Sequence, residues 1–299
     1  MNLKKLGSIF SGIGLGLALA LSGGPASAAV TFYFPFTVLH DDDLDAIVDT
    51  NGNGILDTGD RLISVIEFHD SEGIFAGQGP TFFEPGFELT AVADITIIAV
   101  LPDGTLVFGP SCAAGVLSGF ACGTTVAVWT DSTPDLDVIN ANSCPGAGGR
   151  AVCLAQAGLG GTDGSVLWAT IGFFGDPDEN WISTPGPGGT SIAVIHATQG
   201  TISLGTFSFA QSLGINATGQ ALDESVPCFP FCGLGGNGLV DVTGNGQIKG
   251  GAGLNFAAWD ARSKADAQVE PVPEPGSLAL LGVALAGLGA TWRRKKAAR

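Results

Sequence analysis

The chain has 299 residues, with 28 acidic against 12 basic, a formal net charge of −16, 47 glycines and 45% hydrophobic residues. So acidic a balance excludes a general nucleic-acid binder, which needs basic surface to neutralise phosphates. Apolar residues are too plentiful for a disordered polymer, and the glycines point to many short strands joined by turns.

The N-terminus opens with Lys4 and Lys5, an apolar stretch over 9–21 and the small residues Pro25, Ala26, Ser27 and Ala28. This is a secretory signal peptide over 1–28, with cleavage after Ala28 or Ala29. All the acidic residues fall within 29–275, against only Arg61, Arg150, Lys249, Arg262 and Lys264. The exported part is therefore more acidic than the whole chain, which favours solubility, metal cations or cationic partners. Residues 29–269 are enough for a sizeable core, as one large β domain or two subdomains.

Residues 29–39 are β-branched and aromatic and read as a first strand, with Pro35 marking an edge or a bulge. Residues 41–60 read as an acidic loop, and 61–68 return to strand composition. Inside that loop stands the run Asp49, Thr50, Asn51, Gly52, Asn53, Gly54, Ile55, Leu56, Asp57, Thr58, Gly59, Asp60. It matches the twelve-residue calcium loop at its informative positions. Asp49, Asn51 and Asn53 supply side-chain oxygens, Gly54 permits the sharp turn, and Ile55 offers its carbonyl. Leu56 packs inward, Asp57 acts directly or through water, and Asp60 closes the loop. Calcium takes six to eight hard oxygen ligands, which is why these residue types are needed. Asp60 stands where Glu is usual, a shorter arm for bidentate ligation. The run resembles dockerin-type and other bacterial extracellular calcium loops, here between strands rather than helices. That resemblance implies a calcium that rigidifies the loop with millimolar-range affinity. The competing reading is a solvated Asx-rich turn without metal. Asp41, Asp42, Asp43 and Asp45 add negative charge just upstream.

Further along, 87–101 and 104–108 read as two strands around the turn Pro102, Asp103, Gly104. Cys112, Cys122, Cys144, Cys153, Cys228 and Cys232 form an even set in an exported chain, hence a disulfide framework. Their spacing favours three neighbouring pairs, although six cysteines allow 15 connectivities. A C-x3-C spacing at Cys228 and Cys232 without a nearby His speaks against zinc. Strands follow around 125–130, 164–174 and 191–209. Residues 175–181 form an acidic turn ending in Trp181. Asp241 to Ile248 begins like a second calcium loop, but Lys249 and Ala252 occupy later ligand positions, so a Gly-turned hairpin is the better reading. His40, His69 and His196 are too scattered for a metal triad. Residues 259–270 alternate: Trp259, Ala261, Ser263, Ala265, Ala267 and Val269 share one face of a half-buried strand. No stretch sustains a helical period over 12 residues. The fold class is all-β and β-sandwich-like.

After a proline-rich spacer over 270–275 come an uncharged apolar run over 276–292 and a basic tail over 293–299. Seventeen residues form a short transmembrane helix, with the basic residues on the cytoplasmic side. Pro273, Glu274 and Pro275, the apolar run and the cluster Arg293, Arg294, Lys295 and Lys296 together resemble the PEP-CTERM sorting signal of Gram-negative bacteria. With the signal peptide, which directs export through the Sec machinery, the resemblance implies transient membrane anchoring and cleavage near the Pro-Glu-Pro motif by an exosortase. It further implies association with secreted exopolysaccharide, biofilm or floc. A plain tail anchor is the alternative.

The exported part holds no G-x-S-x-G, H-E-x-x-H, P-loop or dinucleotide fingerprint. The expectation is a non-enzymatic surface or extracellular-matrix protein. A carbohydrate-binding module, using Trp129, Trp168, Trp181 or Trp259 as platforms, is one alternative. A secreted glycoside hydrolase using two carboxylates is another.

Overall fold

The computed structural model describes residues 30, 32–33, 36–73, 75, 77–83, 85–139, 149–161, 164–185, 205–218, 222, 226–227, 236–250, 259–272 and 285. Its strands form where β-branched and aromatic residues alternate with small or polar ones. In chain order they are β1 (Thr37–Val48), β2 (Arg61–Gly73), β3 (Thr81–Phe82), β4 (Glu88–Val100), β5 (Leu106–Pro110) and β6 (Thr124–Asp131). After the short helix α1 (Gly149–Gln156) come β7 (Val166–Gly172), β8 (Asn180–Thr184), β9 (Thr206–Asn216), β10 (Val226–Pro227), β11 (Leu239–Val240), β12 (Val242–Gly250) and β13 (Ala261–Val269). The signal peptide and, apart from Leu285, the apolar run 276–292 lie outside the described residues.

The all-β class holds, and the antiparallel sheet closes on itself. Pairing runs β2, β1, β13, β12, β9, β7, β6, β4, and β4 returns to β2. The ring forks between β4 and β9. One side of β4 pairs with β6 over its first half and with β5 over its second. Likewise β9 pairs with β8 over its first half and with β7 over its second. The sandwich-like expectation thus takes the form of a barrel, which removes the exposed edges that an open sheet must protect.

Two apolar cores follow from this closure. The inner one gathers Leu39, Ile66, Phe68, Ala93, Ile95, Phe108, Val126, Trp181 and Phe209 from around the ring. The outer one lies on the other face of β1, β2, β4 and β6, through Leu44, Ala46, Val65, Val92, Ala127 and Trp129. It is covered by Leu117, Leu136, Val138, Cys153, Leu154 and Trp259. Arg150 of α1 lies 6.0 Å from the centre of the Trp259 ring. The wall strands are therefore buried on both faces, and their sequences lose the simple apolar–polar alternation of a half-exposed sheet.

Strand β1 corrects the reading of 41–60 as one loop. It runs on through Asp41, Asp42, Asp43 and Asp45 to Val48. Asp41, Asp43 and Asp45 point into the barrel and are 4%, 6% and 1% exposed. Asp45 accepts hydrogen bonds from Ser64 Oγ at 2.5 Å and Ser263 Oγ at 2.6 Å, and Asp41 accepts one from the Ala265 N–H at 2.6 Å. Burial pushes Asp41 and Asp43 well above the usual carboxylate range, and neighbouring carboxyls push the same way. Asp45 is pushed up to about 6, chiefly by burial and against the two serine hydrogen bonds. The enclosed space they share is about 60 Å³. That is less than half of the roughly 150 Å³ that holds a benzene ring, and is room for a few waters.

The stretch from Asp241 to Ile248 is also corrected, from a hairpin to strand β12 between β9 and β13. Its glycines have a packing reason. A Cβ at Gly244 would collide with the Phe209 ring, and one at Gly246 with the Phe207 ring. Both rings lie across the strand and close on Trp181, with centres 5.2 Å (Phe209) and 6.4 Å (Phe207) from it. The expected alternation is observed over β13, with Ala261, Ser263, Ala265, Ala267 and Val269 buried; it does not extend to Trp259, which lies in the outer core, or to Asp260, which is buried.

Of the cysteines, Cys112 and Cys122 form a disulfide with Cα atoms 4.4 Å apart, as the spacing suggested. Cys153 is also disulfide-bonded, while Cys144, Cys228 and Cys232 lie outside the described residues.

Candidate metal centre

The loop 49–60 joins β1 to β2 at one end of the barrel. Its chain reversal requires left-handed backbone at Gly52 and Gly54, with φ of +72° and +77°. Asp49 organises the turn: Oδ1 accepts the N–H of Gly52 at 2.7 Å and Oδ2 that of Gly54 at 2.7 Å. These N–H donors, Gly54 first, hold the Asp49 carboxyl below its usual range.

The other side chains converge. Asn51 Nδ2 and Asn53 Nδ2 donate to the two oxygens of Asp57, at 2.9 and 2.5 Å. Asn51, Asn53 and Asp57 thus share one small volume beside Asp49, all at the exposed face of the loop. Rotating the two amides by half a turn would aim their oxygens at that volume, so the donor set fits a hard cation.

Asp60 behaves differently. It is 0% exposed. Its Oδ1 takes the N–H and hydroxyl of Thr50 at 2.9 and 3.0 Å, and Oδ2 the N–H of Asp57 at 3.0 Å. Asp60 braces the loop ends, a role in which Thr50 shares and which the sequence pattern alone does not show. Ile55 is exposed, and Leu56 is 5% exposed in the inner core. Leu56 meets Ile47, Ile97 and Phe108 at the barrel end. Two backbone hydrogen bonds at 2.8 Å, Gly59 N–H to Ile97 and Ile97 N–H to Asp60, fasten the loop to β4. Arg61 follows and grips Asp94 through two contacts of 3.1 and 2.6 Å.

The four candidate tryptophan platforms serve packing. Trp129, Trp181 and Trp259 are buried. Trp168 is partly buried and stacks on Phe32 at 6.0 Å. In the acidic turn before Trp181, Asp178 is buried and accepts the Gly238 N–H, while Glu179 accepts those of Phe174 and Gly175. His40 contacts Asp266 at 2.6 Å and Glu72 at 3.2 Å, and His69 contacts Asp42 at 3.1 Å. His196 lies outside the described residues.

Sequence reasoning missed a second acidic group. Glu88, Asp131 and Asp135 each bring a carboxylate oxygen within 4.8 Å of the others. Burial pushes Glu88 up to about 8, with repulsion from Glu67 and Asp135 adding to it. The only sequence signal is Asp131-Ser-Thr-Pro-Asp135; its partner Glu88 is found only through strand pairing.

Strand β13 hands directly to the C-terminal tail. Pro271 makes a bridge to Leu222, and Pro273, Glu274 and Pro275 lie outside the described residues. No helix among the described residues is long and apolar enough to cross a membrane. Fold and termini define an acidic all-β barrel domain that ends in an address tail. Residues 271–295 match the PEP-CTERM protein-sorting motif. The chain therefore carries the signal of an exported, surface-sorted substrate of an exosortase. No curated protein and no solved structure matches the chain.

Proposed function

We propose that this is a non-enzymatic exported protein of the cell surface or extracellular matrix, associated with exopolysaccharide, whose β1–β2 loop binds calcium. The sorting motif at 271–295 carries the reading. In it, Asp49, Asn51, Asn53, the Ile55 carbonyl and Asp57 hold the ion, and Asp60 braces the loop from behind. Binding rigidifies the loop and, through Leu56, one end of the barrel. A scaffold role is favoured over hydrolysis because the inward carboxyls share a space of only about 60 Å³, too small for a sugar ring.

Polysaccharide contact falls to an open groove of about 680 Å³ outside the barrel. There Phe82, 69% exposed, stands with Phe83 and Phe87 beside Glu67, Asp135 and Asp137. Aromatic faces with flanking acceptors suit sugar rings better than the buried tryptophans do.

Deletion of the gene followed by flocculation and polysaccharide-retention assays tests the role, with loss of either expected. Complementation with Phe82→Ala should fail to restore polysaccharide retention. Full restoration by that variant would place the contact elsewhere. Mass spectrometry of cell-associated protein should find a C-terminus near 272–276; an intact Arg299 on the mature form would mean a plain anchor.

A further inference from the structure

Glu88 opens β4 and Asp131 closes β6, and the two are direct cross-strand partners. They lie on the outer face of the barrel wall, in step with Val92 and Trp129 of the outer core. Immediately after β6 the chain turns back over them. Thr133 donates its N–H to Asp131 Oδ1 at 2.7 Å. Asp135 and Leu136 donate theirs to the two oxygens of Glu88 at 3.4 and 3.1 Å, and Val138 donates to Glu67 at 3.0 Å. Wall carboxylates thus strap the segment 133–138 onto the barrel, and its Leu136 and Val138 enter the outer core.

This strap delivers the Asp135 carboxylate to the buried pair. Glu88 and Asp131 are 5% and 2% exposed, and Asp135 is open to the groove. Thr133 engages Oδ1 of Asp131 and not Oδ2. That atom is buried and has no hydrogen-bond partner. An unsatisfied buried carboxylate oxygen is costly, and three carboxylates at this spacing repel one another. Among the described residues no lysine, arginine or histidine pairs with Glu88 or Asp131.

We propose that Glu88, Asp131 and Asp135 form a second divalent-cation site, suited to calcium. Calcium–oxygen distances of about 2.3–2.6 Å place ligands on opposite sides of the ion roughly 4.8 Å apart, so one ion can touch all three carboxylates. The donors are all hard oxygens, without the nitrogen or sulfur that would favour zinc or copper. Asp135 faces the groove, which provides an entry path and room for the waters that complete the shell. The ion satisfies Asp131 Oδ2 and pins the strap. The β1–β2 loop is fastened near Ile97, nine residues further along β4, or roughly 30 Å at about 3.3 Å per residue. The two sites thus secure opposite ends of one strand.

Calcium titration of the full-length protein in detergent, after chelator treatment, tests this by calorimetry. The Asp131→Asn, Asp135→Asn double variant should lose one calcium equivalent, while Asp49→Ala, Asp57→Ala loses a different one. Unchanged stoichiometry and affinity in the double Asn variant, with an unchanged circular dichroism spectrum, overturns the site. Should that variant misfold, exposed Asp135→Asn alone is the arbiter: at least a tenfold loss in affinity for one equivalent supports the site, and no change refutes it. Failure of the β1–β2 loop reading is seen separately, as no loss in Asp49→Ala, Asp57→Ala.

Discussion

Two acidic stretches lie side by side in this chain and end in opposite environments. Asp41, Asp43 and Asp45 point into an apolar lumen, whereas Asp49, Asn51, Asn53 and Asp57 ring an exposed turn. In the lumen, burial outweighs the hydrogen bonds, and Asp45 is raised to about 6. In the turn, backbone N–H groups meet the carboxylate without removing water, and Asp49 is lowered. Aspartate therefore carries no fixed meaning as a charge. Solvent and donors together decide whether it holds a proton or offers a ligand.

The largest test of this contrast is pH. The folded chain keeps the Asp45 proton to about pH 6, while the unfolded chain releases it near 3.8. The sign follows: this contribution to stability is complete below the unfolded value and lost as pH rises towards 6. At about 1.4 kcal/mol for each pH unit between the two values, the loss is roughly 3 kcal/mol. Asp41 and Asp43 extend the decline to higher pH. Thermal unfolding between pH 4 and 8 should show it, and Asp45→Asn should flatten the lower part of the curve. A wild-type curve that rises over this range would break the contrast.

Leu56 joins the two regions, since it belongs to the exposed loop yet lies in the inner core. Leu56→Ala should cost about 2–4 kcal/mol, as a core truncation does, measured by urea denaturation. A cost near that of a surface change would mean that the loop does not plug the barrel.

A smaller effect is expected from calcium. At ten times its dissociation constant, one ion stabilises by roughly 1.4 kcal/mol, or a rise of about 3–6 °C in Tm. Asp57→Ala should remove the share that belongs to the loop, whereas Asp45→Asn should leave the calcium response intact. A response abolished by Asp45→Asn would place the ion in the lumen instead.

Much of the fold was legible locally. The alternation in β13, the turn at Pro102, Asp103 and Gly104, and the Cys112–Cys122 bridge all depend on near neighbours. The twelve-residue loop pattern is local, and its inward Leu56 is where the pattern puts it. Strand β1 looks like a loop in sequence because its inward face carries three aspartates and its outward face Leu44 and Ala46. That inversion makes sense only when an outer core covers the wall. Local sequence presents Trp181 as a surface platform, but Phe207 and Phe209, from a strand beyond it in sequence, enclose it.

By itself, then, the sequence determined the β class, the sorting tail and the twelve-residue loop, because each is written in contiguous residues with a fixed period or order. Tertiary structure decided that the sheet closes through β2 and β4, which aspartates lose water, and that Glu88 meets Asp131 and Asp135. Those outcomes rest on strand register and burial between residues far apart in the chain. Local pattern does not encode such pairings, and desolvation is a property of the assembled neighbourhood rather than of the residue.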